Sequence, residues 1–258
     1  MQYYLGILAG LPLLPLLYRD GRRIRASVPK LPAAANPTGT AGKGKRRLYL
    51  LTLGESTVAG VGVSDHKEGI TGVLAEYLAD KTDSEIIWRA EARSGYTMQK
   101  IADEILPAIR PFSPNLIIVG TGANDAFAAN NPAKFARATE KLIKHLQNEY
   151  SNAPIIFLNM PPIREFPAFT PLIKFFIGSL TELNGKVLEN VIRRYENVHY
   201  ISEKITMRDW IHKTEGTNSM TDFFSDGVHP SGLTYRIWAE ETGKYILDRK
   251  ICEVYPTL

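Results

Sequence analysis

Short apolar runs that favour β-strands alternate with amphipathic stretches that favour helices through most of this 258-residue chain. The strand-like runs are residues 48–53, 85–90, 115–120, 154–159 and 198–201. The helical stretches are residues 69–79, 97–109, 132–150, 172–195 and 231–247. Strands that are joined through helices form right-handed crossovers, which give a parallel sheet with helices on both faces. We therefore expect an α/β fold with three layers, α/β/α, around a five-stranded parallel sheet.

In such a sheet, ligands bind beyond the carboxyl ends of the strands, so the residues that follow each strand are the candidates for chemistry. Ser56 follows the first strand in the sequence Gly-Glu-Ser-Thr. A serine on a tight turn between a strand and a helix is exposed and lies near backbone N–H groups, which suits a nucleophile beside an oxyanion hole. The same pattern is also typical of an ordinary helix N-cap.

Two further candidates follow the second and third strands. Gly95 lets the backbone N–H approach an oxyanion closely, although a glycine before a helix is also common turn chemistry. Asn124 carries a neutral amide that can donate to developing negative charge, and an Asx-type turn is the alternative interpretation. These two residues are candidate oxyanion donors.

An Asp-Gly-Val-His segment near the C-terminus contains Asp226 and His229. A carboxylate three residues before an imidazole can accept from the ring Nδ1–H and leave Nε2 free as a base. Asp209 and His212 have the same spacing, but they follow no clear strand. We therefore favour the Asp226/His229 pair, while a surface loop with an incidental histidine remains the alternative.

These four segments, in this order and in a chain of this architecture, resemble those of the SGNH (GDSL-type) hydrolase family over most of the sequence. The resemblance implies a flavodoxin-like fold and the activity of a serine esterase or lipase. It makes Ser56 the nucleophile, His229 the general base and Asp226 the acid that orients the histidine. It also implies an oxyanion hole of three donors: the backbone N–H groups of Ser56 and Gly95 and the side-chain amide of Asn124.

The sequence departs from the family pattern at Glu55, where the family usually has aspartate. This residue is not expected to carry the proton transfer, but its extra methylene leaves its effect on the turn open. A non-catalytic binding protein of the same fold is therefore a second hypothesis. A phosphate- or nucleotide-binding domain is disfavoured, because an acid at this turn repels phosphate and the glycine-rich phosphate loop is missing.

The implied reaction transfers an acyl group to water through an acyl-enzyme, and it requires no metal or organic cofactor. No pair of histidines has the spacing of a zinc site. Residues 161–177 form the most apolar and aromatic stretch outside the strands. They are candidates to line an acyl pocket or to contact a membrane, or they are simply a loop that leads into a core helix. We expect a lipid-like or other hydrophobic acyl ester as substrate, with a carbohydrate acetylesterase or a thioesterase as the alternative.

The first 18 residues carry no charged side chain, and a basic segment follows them. As a helix they would span about 27 Å, slightly less than a hydrocarbon core of about 30 Å, and Pro12 and Pro15 would kink it. We expect residues 1–30 to associate with a membrane as an anchor or a surface-lying segment, with the domain on the cytoplasmic side. A signal peptide with export to the periplasm, or a buried N-terminal helix, is the alternative.

The chain therefore divides into three predicted parts: a leader over residues 1–30, a flexible linker over 31–47 and a hydrolase domain over 48–258. Residues 1–47 hold nine Lys or Arg and one acid, a net charge of +8, whereas the remainder has a net charge of −4. A nucleic-acid-binding protein would carry its positive charge on the folded domain, so we expect no nucleic-acid partner. The sequence does not predict the oligomeric state.

Overall fold

A six-stranded, mostly parallel sheet forms the centre of the fold in the computed structural model, which describes residues 2–151, 153–214 and 219–251. The strands are β1 (Thr38–Ala41), β2 (Arg46–Gly54), β3 (Ser84–Ala92), β4 (Leu116–Gly120), β5 (Ile155–Phe157) and β6 (Val198–Tyr200). Their order across the sheet is β1-β3-β2-β4-β5-β6, and the neighbouring strands from β3 to β6 run parallel to one another.

Helices cover both faces of the sheet. The α-helices of the described residues are α1 (Gln2–Gly10), α2 (Leu14–Ser27), α3 (Ile70–Thr82), α4 (Met98–Lys100), α5 (Ala123–Phe127), α6 (Pro132–Glu149), α7 (Pro171–Ile192), α8 (Met207–Lys213) and α9 (Gly232–Asp248). Successive side chains of a strand point to opposite faces, so Leu50 packs in one hydrophobic core and Leu51 in the other. The two cores make this a three-layer α/β/α fold, which confirms the predicted fold class and all five predicted parallel strands.

The predicted strand count was wrong by one, because β1 adds an antiparallel edge strand beside β3. This strand lies inside residues 31–47, which the sequence predicts as a flexible linker. Its Thr-Gly-Thr-Ala sequence has no apolar alternation, so the strand is held by backbone pairing and by close contact with its neighbour. A Cβ at Gly39 would overlap the indole ring of Trp88, and only glycine allows this approach.

The helix predicted over residues 97–109 changes type along its length. It begins as α4, continues as a π-helical turn over Ile101–Ile105 and ends as a 3-10 turn over Leu106–Ala108. Pro107 lies in that last turn. Proline has no N–H to donate, so a regular α-helix cannot continue through this position.

The leader folds as two helices and packs against the domain. A 3-10 turn over Leu11–Leu13, which contains Pro12, separates α1 from α2. The buried Asp20 carboxylate on α2 accepts a hydrogen bond from the Thr170 hydroxyl at 2.8 Å, and the Tyr3 hydroxyl on α1 donates to the Ala129 carbonyl. Among the described helices, none is long and apolar enough to cross a membrane.

The strands β2 and β4 both end in glycine, and Gly54 pairs directly with Gly120. A Cβ at Gly54 would overlap the Gly120 carbonyl oxygen and the Val58 side chain. The next residue, Glu55, donates its N–H to the same Gly120 carbonyl at 3.1 Å. This close approach brings the turn after β2 against the turn after β4, where the candidate site lies.

Candidate active site

Ser56 lies in the turn that directly follows β2 and is half-buried. Its carbonyl oxygen accepts a hydrogen bond from the N–H of Val61 at 3.0 Å, and the carbonyl of Glu55 accepts from Ala59. These bonds hold the turn in one shape and keep the serine at the carboxyl edge of the sheet, as the sequence predicts.

The two predicted oxyanion donors lie on adjacent loops that are hydrogen-bonded to each other. Gly95 has a φ of +83°, a conformation that other residues rarely adopt. The side-chain amide of Asn124 donates to the carbonyl of Tyr96 at 3.1 Å. The buried Asp125 carboxylate accepts from the N–H of Met98 at 2.7 Å. Two bonds therefore fix the loop after β3 against α5.

Asp226 forms two hydrogen bonds with His229 and a third with the neighbouring Val228. Its Oδ2 lies 2.7 Å from the ring Nδ1, and its Oδ1 accepts from the N–H groups of Val228 and His229. Burial alone would raise the pKa of Asp226, but the hydrogen bonds from His229 and the backbone outweigh burial, so this pKa lies below its usual value. The carboxylate therefore stays charged and fixes the orientation of the imidazole.

The His229 loop also contacts the segment that follows Ser56. Gly62, with a φ of +111°, lies so close to Pro230 that a Cβ would overlap the Pro230 carbonyl. The buried hydroxyl of Tyr235 on α9 donates to the carbonyl of Val61 at 2.8 Å. These contacts set the distance between the serine turn and the histidine loop.

Four of the predicted site residues line one cavity of about 870 Å³: Ser56, Gly95, Asn124 and His229. Asp226 lies behind His229 and is not part of the wall. Among the described residues, the hydroxyl of Ser56 and the ring of His229 form no hydrogen bond with each other. Catalytic pairs commonly have this looser arrangement before a substrate binds.

The acid and the histidine of the second Asp-x-x-His segment are not part of the cavity wall, although Trp210 between them lines it. Asp209 accepts a hydrogen bond from the hydroxyl of Thr206 in the first turn of α8. His212 is exposed and is not part of the cavity wall. The structure therefore gives Asp209 a local role at the start of a helix.

Glu55, the departure from the family pattern, is fully buried beside Ser56. Its Oε1 accepts from the N–H of Ala123 at 2.9 Å, and its Oε2 accepts from the N–H of Asn124 at 3.0 Å. Burial raises the pKa of Glu55 to about 7, although the two N–H bonds oppose this shift. The glutamate side chain thus connects the Ser56 turn to the start of α5, which carries Asn124.

The model of the GDSL-like lipase/acylhydrolase family matches residues 52–237. This chain belongs to that family. It is also 26% identical over 191 residues to the GDSL esterase/lipase WDL1 of Oryza sativa subsp. japonica, and this alignment covers 67% of the chain and 68% of the rice protein. The match confirms the predicted resemblance and places this GDSL-like protein among carboxylic ester hydrolases.

Solved structures share the fold at low sequence identity. A GDSL-like protein from Bacteroides ovatus is 18% identical, with a TM-score of 0.58 that covers 84% of this chain and 57% of that protein. A family 3 carbohydrate esterase from Clostridium thermocellum is 16% identical, with a TM-score of 0.56 that covers 79% of this chain and 97% of the esterase. At these identities the likeness shows a common fold.

Sequence reasoning missed two parts of this GDSL-like site. The first is the pair of buried acids, Glu55 and Asp125, which hold the loops together. The second is helix α2, whose residues Leu17, Gly21 and Ile24 form part of the cavity wall. The spacing of four and then three residues is typical of one helical face, a signal that was present in the sequence. No group of three or more metal-ligating side chains occurs among the described residues.

The raised pKa of Glu55 predicts a specific dependence of stability on pH. In the folded chain this pKa is about 7, whereas the usual value is 4.5, so between these pH values the folded state binds more protons than the unfolded state. The free energy of unfolding therefore falls as the pH rises from about 4.5 to about 7, by about 3 kcal/mol for this group. Glu55→Gln has no titrating carboxyl at this position, so its free energy of unfolding should lack this part of the fall with pH.

Urea denaturation of the wild type and of Glu55→Gln across this pH range measures the effect. Glu76→Gln is the control, because Glu76 is an exposed carboxyl on α3. We expect the control to follow the wild type and Glu55→Gln to show a shallower slope. If all three curves run parallel, the account of Glu55 is wrong.

Proposed function

We propose that this chain is a serine esterase that hydrolyses esters of hydrophobic acyl groups through an acyl-enzyme on Ser56. The observation that carries the proposal is the shared cavity. One cavity is lined by Ser56, Gly95, Asn124 and His229, and its other walls are mainly apolar. Asp226 is hydrogen-bonded to the ring of His229.

In the first step, His229 removes the hydroxyl proton of Ser56 as the serine oxygen attacks the ester carbonyl. The Nδ1–H of His229 donates to Asp226, so the neutral tautomer presents Nε2 as the base. As the ring takes up the proton, the carboxylate of Asp226 stabilises the imidazolium that forms.

The carbonyl oxygen becomes an oxyanion, which three donors would stabilise. Two are the N–H groups of Ser56 and Gly95, and the third is the amide of Asn124. An asparagine amide has two N–H donors, and one of them is used by the Tyr96 carbonyl. That bond orients the amide, and we assign the second N–H to the substrate oxyanion. Losing such a donor typically costs about 3 kcal/mol in the barrier.

The tetrahedral intermediate then breaks its bond to the alcohol oxygen, and His229 donates its proton to the departing alcohol. Water next attacks the acyl-enzyme, with His229 removing a proton from the water. Collapse of the second intermediate releases the carboxylic acid and returns the proton to Ser56. The cycle consumes one water and requires no cofactor.

The cavity wall supports a hydrophobic acyl substrate over a sugar ester. The segment over residues 161–177 contributes much of the wall, including Phe166, Phe169, Ile173 and Phe176, and α8 and α9 add two tryptophans. Sugar hydroxyl groups would leave their hydrogen bonds unmade against such a surface, which is costly. Acetylated carbohydrates and thioesters are the alternative substrates.

Labelling with a fluorophosphonate probe tests the nucleophile without assuming a substrate. We expect the wild type to be labelled, and the labelling to disappear in Ser56→Ala and in His229→Ala. His212→Ala is the matched control and should be labelled like the wild type, because His212 lies outside the cavity. A folded wild type that is not labelled would support the non-catalytic binding protein instead.

We also propose that the leader binds the anionic, cytoplasmic face of a membrane. Six of the eight exposed large hydrophobic side chains of the described residues lie on α1, α2 and the turn between them. The other two are Phe127, which lines the cavity, and Phe175 on α7. Exposed arginines continue along α2, at Arg22, Arg23 and Arg25. Apolar and cationic surfaces side by side suit a peripheral helix on anionic lipid.

Sedimentation with lipid vesicles tests this surface. We expect binding to vesicles that contain phosphatidylglycerol and weaker binding to pure phosphatidylcholine, because each arginine contributes about 1 kcal/mol near anionic lipid. The double change Arg22→Glu and Arg23→Glu should abolish this preference. Lys144→Glu with Arg236→Glu changes the net charge equally at exposed positions outside the leader and should leave it intact. Equal binding to both vesicles, or none, would contradict the proposal.

A further inference from the structure

Helix α2 of the leader forms one wall of the active-site cavity. Leu17, Gly21, Ile24 and Val28 all line it, and their spacing of four, three and four residues places them on one face of the chain. The opposite walls come from the hydrolase domain, including the aromatic residues described above. The leader therefore forms part of the site, in addition to any role as a membrane anchor.

Specific contacts hold this wall in place. The carboxylate of Asp20 is buried between α2 and α7 and accepts from the hydroxyl of Thr170, which also caps the N-terminus of α7. At the end of α1, a Cβ on Gly10 would lie 3.1 Å from the ring of Phe176, a side chain that lines the cavity. The leader thus packs on the helix that carries much of the acyl wall.

Gly21 leaves open space at the centre of this wall. It lies within α2 and lines the cavity, and a Cβ built on it would have no neighbour within 4 Å. Glycine inside a helix is less stable than alanine by about 1 kcal/mol. The sequence therefore has a residue here that weakens the helix, at a cavity-lining position where a Cβ would meet open space.

We infer that α2 is a specificity element of this enzyme, and that Gly21 keeps the cavity open for a long acyl chain. The inference rests on the proposed function, since it assigns an acyl chain to the cavity beside Ser56. It names the substrate class as esters of long-chain fatty acids. Short acyl groups would occupy only the part of the cavity near the oxyanion donors and would not reach α2.

The test compares Gly21→Phe with the wild type on p-nitrophenyl esters of acetate, butyrate, octanoate and dodecanoate. We expect kcat/KM for the two short esters to stay within about twofold of the wild type. For the two long esters, kcat/KM should fall by about fourfold for each methylene of the acyl chain that the phenyl ring displaces from the cavity. This factor corresponds to the free energy lost when one methylene is no longer buried. Gly21→Leu should give an intermediate profile.

Gly6→Phe is the matched control. Gly6 is an exposed glycine on α1, a Cβ there also meets nothing within 4 Å, and the residue does not line the cavity. Thermal unfolding shows whether each variant is folded. The control should keep the wild-type preference for chain length.

Fluorophosphonate labelling distinguishes the two ways in which the account can fail. If the wild type is labelled but Gly21→Phe and Gly21→Leu keep the wild-type chain-length profile, the inference on α2 is wrong and the serine esterase stands. If the wild type is not labelled and cleaves none of the esters, the proposed function itself fails. A loss of activity on all four esters equally would also overturn the inference, because it would indicate damage to the site.

Discussion

The buried carboxylate of Glu55 is the interaction on which the arrangement of the site depends. It follows β2, directly precedes Ser56, and accepts hydrogen bonds from two consecutive N–H groups at the start of α5. Ser56 and Asn124, the proposed nucleophile and oxyanion donor, follow different strands, so the contacts between the two strand ends set their separation. Here the Glu55 side chain connects the two strand ends, and the pairing of Gly54 with Gly120 adds a second connection between them.

Further hydrogen bonds and close contacts connect the Glu55 turn and α5 to the other parts of the site. Asn124 and Asp125 bind the loop that carries Gly95. Close backbone contact at Gly62 and the hydroxyl of Tyr235 connect the serine turn to the His229 loop and α9. Catalysis of acyl transfer depends on groups that are already in place when charge develops, because reorientation during the reaction costs energy. In the proposed mechanism, the hydrogen bonds between these loops provide this preorganisation.

The fold could be predicted from the sequence because five apolar runs alternate with helical stretches, a pattern that allows few topologies. The site residues could be selected because each follows a strand, where a parallel sheet brings loops together. The edge strand β1 could not be predicted, since its Thr-Gly-Thr-Ala sequence has no alternation and its position depends on contact between Gly39 and Trp88. The spacing of Leu17, Gly21 and Ile24 indicates one helical face, but where that face packs depends on tertiary contacts such as Asp20 with Thr170, which the spacing does not encode.

The most direct test of the account is to trap the acyl-enzyme. The protein is mixed with p-nitrophenyl octanoate, quenched in acid during the first turnover and digested, and the peptides are weighed by mass spectrometry. The account predicts one octanoyl group on the peptide that contains Ser56, and no such adduct in Ser56→Ala. An octanoyl group on a different residue of the wild type, or an adduct that persists in Ser56→Ala, would contradict it.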